Sequence, residues 1–330
     1  MSARYRDWLR VAAILIFAAL LVGFGRHVDW RAAEQAVRSA DARLLLLALV
    51  ANQLSLTLKG VRWWVFLRPL GVRSLSLVLR ATFAGASLNN LVVAQGGEGA
   101  RVMLVSRAAG VSSASVAAAL ALERVFDAVS YLTLLVSASW LLAVPDTIAR
   151  WRVPASVALV LALVVLMGLG RTDGDPLVTM TTAGGSAGGR VRSYFGRFAS
   201  SVSALASPAR LLIAMFLSLA AWSLQVATYH LIARAAHLPI PLAGSVAAML
   251  AVGISFLIRA TPGNVGVFQV VYAVTVARFG IAEGPAVAAS LLIQTIQVIP
   301  TVVIGTLMTH GLIQRDGGER NAGVEPRERA

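Results

Sequence analysis

The sequence predicts an all-α, polytopic integral membrane protein with about six full spans and two re-entrant or broken helical hairpins. Three observations predict it. The 330 residues are 58% hydrophobic and only 13% charged, with a mean hydropathy of +0.76, whereas a soluble domain carries about a quarter charged residues. Several apolar runs reach the roughly 20 residues needed to cross a bilayer. Two glycine-rich polar segments, Asn89–Arg101 and Arg259–Gln269, interrupt this apolar background. Helix-breaking backbone at membrane depth is tolerated only where protein buries it or where it lines a wet cavity.

In chain order, the runs predicted to span are Trp8–Gly25, Leu44–Leu58, Asp127–Val144, Val153–Gly170, Leu211–Ala235 and Pro285–Gly311. Arg4, Arg6 and Arg10 precede the first run and no small-x-small cleavage site follows it, so it reads as an uncleaved span rather than a removed signal. Three weaker runs, Leu77–Ala94, Ala243–Ile258 and Val265–Phe279, flank the two polar segments. Basic residues flank Leu77–Ala94 on both sides, Lys59, Arg62, Arg68, Arg73 and Arg80 before it and Arg101 and Arg107 after it, which places both its ends, with a cytoplasmic segment from Lys59 to Arg80, on the side of the N- and C-termini. The second break is then entered from the outer face, and the chain reads as two halves of opposite orientation. Such inverted repeats occur in several transporters. The expected units are a membrane half at 1–170 with a cytoplasmic-side hairpin at 77–101 and a cytoplasmic linker at 171–210. A second half follows at 211–313 with an outer-side hairpin at 243–279, then a disordered tail at 314–330. Ala243–Phe279 reads equally as two thin full spans.

Composition excludes several functions. There is no cysteine, so there is no disulfide framework, thiol catalysis or cysteine-bound metal. The four histidines are scattered, and no metal or cofactor is expected. The net charge of +14 falls in loops beside apolar runs, which points to topology and anionic headgroups rather than nucleic acid.

The polar residues inside apolar territory are the candidate site. Glu98 and Arg101 share a face if a helix starts at Gly96 and Gly97, and exposed N–H groups at that start favour an anion. Alternatively they form a helix cap and a surface ion pair. Asn89 and Asn90 either line a cavity or tie down loose carbonyls. Glu123, Arg124 and Asp127 form a cluster in which Glu123 and Asp127 share a helix face; the site reading and a snorkelling surface cluster stand level. Arg259, beside Thr261, Pro262, Gly263 and Gly266, is costly at membrane depth, by roughly 2.5–3.5 kcal/mol on insertion scales. It suits a lipid phosphate or a salt bridge to Glu98 or Glu123. Trp63, Trp64, Trp140, Trp151 and Trp222 read as interfacial anchors.

Arg62-Trp63-Trp64, Asn89-Asn90, Gly96-Gly97-Glu98-Gly99-Ala100-Arg101, Glu123-Arg124-Val125-Phe126-Asp127 and Thr261-Pro262-Gly263-Asn264-Val265-Gly266-Val267-Phe268 resemble the lysylphosphatidylglycerol synthase transmembrane-region family over about residues 8–312. The resemblance implies a bacterial or archaeal inner-membrane protein related to the flippase portion of multiple-peptide-resistance proteins, without the soluble domain that makes the aminoacyl lipid. The family often has Pro-Gly-Gly at both breaks and an acidic residue after the second. Here Gln95-Gly96-Gly97, Pro262-Gly263-Asn264 and Gln269 stand there, so the substrate implied need not be a cationic aminoacyl lipid.

The expected function is therefore movement of a lipid, with an anionic headgroup, between leaflets of or out of the bacterial cytoplasmic membrane. Two alternatives stand beside it: an intramembrane lipid-modifying transferase, and a non-transporting subunit of a lipid-synthesis complex. A homo-oligomer or a lipid-biosynthesis partner fits either setting.

Overall fold

The computed structural model describes Arg31, Glu34, Gln35 and residues 38–91, 96–169, 207–256 and 264–322, the stretch from 309 as backbone alone. Every regular element among these residues is helical. The first half contributes α1 (Ala42–Leu67), α2 (Leu75–Leu91), α3 (Gly96–Ala109) and α4 (Ser113–Leu141), followed by the short α5 (Asp146–Ala149) and α6 (Arg152–Leu169). The second half contributes α7 (Pro208–Ala235), α8 (Leu242–Ser255), α9 (Val267–Ala277) and α10 (Glu283–Ala322).

Local sequence explains the ends. Asp41 caps α1 by accepting from the Arg43 N–H at 2.8 Å. Pro69 follows the last residue of α1 by two positions and closes it through one 3₁₀ turn. Pro208 opens α7, where its missing N–H costs nothing. Pro300 lies within α10, where it removes one ladder hydrogen bond.

Among the described residues, three helical stretches are long and apolar enough to cross a membrane: Ala42–Leu70, Pro208–Ala235 and Glu283–Met308. The expected span Trp8–Gly25 lies outside the described residues, as does most of the expected linker at 171–210. Asp127–Val144 forms part of the longer α4, and Val153–Gly170 corresponds to α6. The flanking pairs α2/α3 and α8/α9 have 17, 14, 14 and 11 residues. At 1.5 Å per residue none exceeds about 26 Å, short of a hydrocarbon core of about 30 Å.

One expectation is corrected. α1 continues through Lys59 and Arg62 to Leu67, so these residues are helical and not part of a loop; no breaker stands between Leu58 and Pro69. The helix α10 runs to Ala322.

The helices pack with an internal symmetry. Exchanging α1–α4 with α7–α10 leaves the main set of touching pairs unchanged. The broken pairs pack on themselves, α2 with α3 and α8 with α9. Each also meets the fourth helix of the other set, α2 with α10 and α8 with α4. Each half has its own apolar core, one around Trp63, Phe66, Leu122 and Phe126, the other around Tyr229, Phe268, Tyr272 and Ile293. The halves join chiefly along α1 and α7. There buried small residues (Ala48, Ala51 and Ser55 against Ala214, Ser218 and Ala221) let the backbones approach, and Ser55 donates to the Ala221 carbonyl at 2.8 Å.

The α2–α10 contact is equally close. Ser87 Oγ donates to the Thr301 carbonyl at 2.7 Å, and a Cβ added at Gly305 would lie 2.6 Å from the Phe83 carbonyl oxygen. Gly305→Leu is therefore expected to destabilise the protein by about 1–3 kcal/mol through overpacking, read as a lowered thermal unfolding temperature in detergent. Thr306→Leu, at an exposed neighbouring position, should leave that temperature within about 0.5 kcal/mol equivalent of the parent.

Candidate functional site

The site forms where α1, α3, α4 and α7 meet. On α1, Lys59, Arg62 and Trp63 lie at i, i+3 and i+4, hence on one face. On α4, Glu123, Asp127 and Ser130 follow the same rule. On α7, Ser218 and Trp222 face them, and α3 supplies Glu98 and Arg101. The residues are apolar enough around these positions to build helices, and the charges fall in helical phase.

Arg62 is fully buried. Its guanidinium reaches Asp127 at 2.8 Å and Glu123 at 3.5 Å, and it donates to Ser218 Oγ. Ser130 Oγ donates to the same hydroxyl at 2.7 Å. Asp127 accepts a further hydrogen bond from Trp222 Nε1 at 3.0 Å. Arg101, 7% exposed, pairs with the other Glu123 oxygen at 3.0 Å and sits 4.2 Å above the Trp63 ring. Lys59 places its ammonium 3.5 Å from the Trp222 ring centroid. At the more exposed edge, Arg124 pairs with Glu98 and with Asp127, the latter at 3.4 Å. Buried charges persist only when paired, because the desolvation cost of each is several kcal/mol. Among the described residues, four basic side chains (Lys59, Arg62, Arg101, Arg124) thus face three carboxylates (Glu98, Glu123, Asp127), one formal positive charge in excess. The Nε atoms of Arg62 and Arg101 are buried with no hydrogen-bond partner among the described residues.

The structure brings together most of the sequence-predicted residues. Glu98, Arg101, Glu123, Arg124 and Asp127 belong to one network. Glu98 and Arg101 do not pair with each other as a surface couple; they reach separately to Arg124 and Glu123 and so fasten α3 to α4. Asn89 takes the tying role: its Oδ1 accepts from the Gly97 N–H at 3.0 Å. A Cβ at Gly97 would collide with that amide and with the Gly85 carbonyl, so a glycine is required for α2 and α3 to touch. Asn90 is half-buried at the end of α2, and Gly96 is exposed at the start of α3. Arg259, Thr261, Pro262 and Gly263 lie outside the described residues.

At the second break, Asn264 and Gly266 adopt positive φ of 57° and 87°, which suits those residue types. Gly266 N–H donates to Gln269 Oε1 at 2.6 Å, and Gln269 Nε2 donates to Gln294 Oε1 at 2.6 Å. Gln269 and Gln294 thus tie α9 to α10 as Arg101 and Glu123 tie α3 to α4. Tyr229 and Gln297 also hydrogen-bond, the neutral counterpart of Arg62 and Asp127.

Sequence reasoning missed Lys59, Arg62, Ser218 and Trp222 as site members. The available signal was the helical phase of Lys59 and Arg62 with the apolar run before them. Trp63 and Trp222, read as interfacial anchors, are instead buried beneath Arg101 and Lys59. Trp140 and Trp151 are exposed, as anchors require.

A helical protein with long apolar spans, two short broken pairs and a buried ionic cluster between them is a membrane protein built around a polar centre. A family model described as the lysylphosphatidylglycerol synthase TM region matches residues 10–305, and the chain belongs to that family, a family of membrane proteins involved in lipid handling. Comparison with curated proteins gives no significant match.

Glu123→Gln removes the carboxylate shared by two buried guanidinium groups, and is expected to cost about 3–5 kcal/mol. Arg124→Ala, at a half-exposed position, should cost under about 1 kcal/mol. Thermal unfolding of both variants in one detergent measures the difference.

Proposed function

We propose that the chain moves a phospholipid with an anionic headgroup between leaflets of the bacterial cytoplasmic membrane. The two broken pairs act as hairpins entered from opposite faces, with both termini in the cytoplasm. The observation that carries this reading is the cluster's unbalanced charge: four cations and three carboxylates within a largely buried network. An anionic headgroup supplies the missing negative charge, and phosphate geometry suits guanidinium donors. Family membership supports lipid as the cargo. We assign Arg259, Asn90, Thr261 and Pro262 to headgroup recognition on their sequence positions at the two breaks alone.

The transferase alternative has less support. Each carboxylate of the cluster is engaged by an arginine, which occupies it rather than leaving it poised as a general base.

Lys59 stacks on Trp222 and makes no carboxylate contact within 4 Å among the described residues, so it carries the excess charge. Lys59→Gln is expected to slow leaflet exchange of fluorescent phosphatidylglycerol in proteoliposomes by about tenfold or more, the loss of one charge-assisted hydrogen bond, with the unfolding temperature kept. Arg259→Ala should act likewise. Wild-type exchange no faster than protein-free liposomes, across anionic and zwitterionic lipids, would refute the proposal.

A further inference from the structure

Beside the ionic cluster, between α2, α3 and α10, lies a slot of about 220 Å³. Its wall is hydrocarbon: Leu88, Leu91 and Leu104 line it, with the small side chains of Ala84 and Ala100 leaving it open. Two hydroxyls border it, and both are already satisfied. Ser87 donates to the carbonyls of Phe83 and Thr301, and Thr306 to those of Val302 and Val303. A slot without free polar partners does not hold water well. An apolar cavity of about 150 Å³ stays dry and takes up an apolar guest.

One polar group does reach the slot. Arg101 lines it, is nine-tenths buried, and keeps its Nε without a partner among the described residues. A guanidinium has five N–H donors; one terminal nitrogen donates to Glu123 at 3.0 Å, and the Trp63 ring covers one face. An apolar slot with a buried, under-used cation along its wall has the shape of an amphiphile's binding site: chain in the slot, oxyanion at the arginine. The close approach of α2 and α3 at Gly85 and Gly97 fixes where the arginine stem runs, since a Cβ at Gly85 would strike it.

We propose that this slot holds one hydrocarbon chain of an anionic phospholipid, with its phosphate at Arg101. The inference rests on the transport reading and specifies it: the cargo is gripped by one chain as well as by its headgroup, and the protein discriminates by chain length.

The test uses the full chain, delipidated in detergent, and lysophosphatidylglycerol of about eight to about sixteen carbons as probe. Binding is read by native mass spectrometry. Affinity should rise with chain length, by about tenfold or more across the series, as each added methylene is buried, and then level off once the slot is full. Ala84→Leu and Ala100→Leu, which fill the slot, should remove the chain-length dependence while leaving the unfolding temperature unchanged. If one of them fails to fold, the other carries the test. Lysophosphatidylcholine of equal length should bind about tenfold more weakly, for lack of net negative charge. Equal binding of all chain lengths, or undiminished length dependence in a folded slot-filling variant, overturns the proposal. A free fatty acid binding more tightly than lysophosphatidylglycerol overturns the assignment to a phospholipid. Chain-length-dependent binding without leaflet exchange removes the transport reading and leaves the slot; exchange without chain-length dependence does the reverse.

Discussion

Glu123 is the group on which the arrangement of the first half depends. Its two oxygens pair with different helices, one with Arg62 of α1 in an ion pair and the other with Arg101 of α3 in a hydrogen-bonded one. A carboxylate buried at this depth cannot be left half-paired, so α1, α3 and α4 are held in one register by the need to satisfy it. Asp127, one turn on, repeats the logic with Arg62, Arg124 and the Trp222 indole, which brings α7 and hence the second half into the same network. The ionic cluster, the adjoining hydrocarbon slot and the junction of the two halves therefore share their fasteners.

Packing does the remaining positioning. α2 is held from two sides by contacts that allow no extra atom: α3 at Gly97 and α10 at Gly305. These contacts are local and steric, and they leave the gap beside them unfilled because the residues facing it are alanines and leucines too few to close it. The slot thus lies beside the close contacts that pin α3 and α10 to α2.

Much of this was legible in the sequence. The apolar runs and the two polar breaks gave the all-helical membrane class and located the short pairs. The i, i+4 relation of Glu123 and Asp127 put them on one face, as found. The partners were harder to see, for a physical reason. Arg62 and Trp222 meet Asp127 from 65 and 95 residues away, and helical periodicity reports which face a residue occupies, never what that face meets. Lys59 and Arg62 looked like a basic cytoplasmic flank because charge near an apolar run usually marks its end. Here the helix continues, and burial among carboxylates replaces solvation. Trp63 and Trp222 misled in the same way, since an indole suits an interface and also suits stacking beneath a cation.

Whether the fold needs these charges is answered by its own second half. Asp127 and Gln297 stand at the same distance from the starts of α4 and α10, and Glu123 and Gln294 within one residue of equivalence. Arg62 and Tyr229 correspond along α1 and α7 in the same way. At each pair of positions the same contact recurs, ionic in the first half and neutral in the second: Arg101 with Glu123 against Gln269 with Gln294, Arg62 with Asp127 against Tyr229 with Gln297. The neutral version holds α9 to α10 and α7 to α10 without burying any charge. Since neutral amides and a phenol fulfil the structural task at lower desolvation cost, the charges of the first half are in excess of what packing demands. A cluster that carries such a cost, with one cation more than the carboxylates it meets among the described residues, is the feature that the proposed anionic headgroup accounts for.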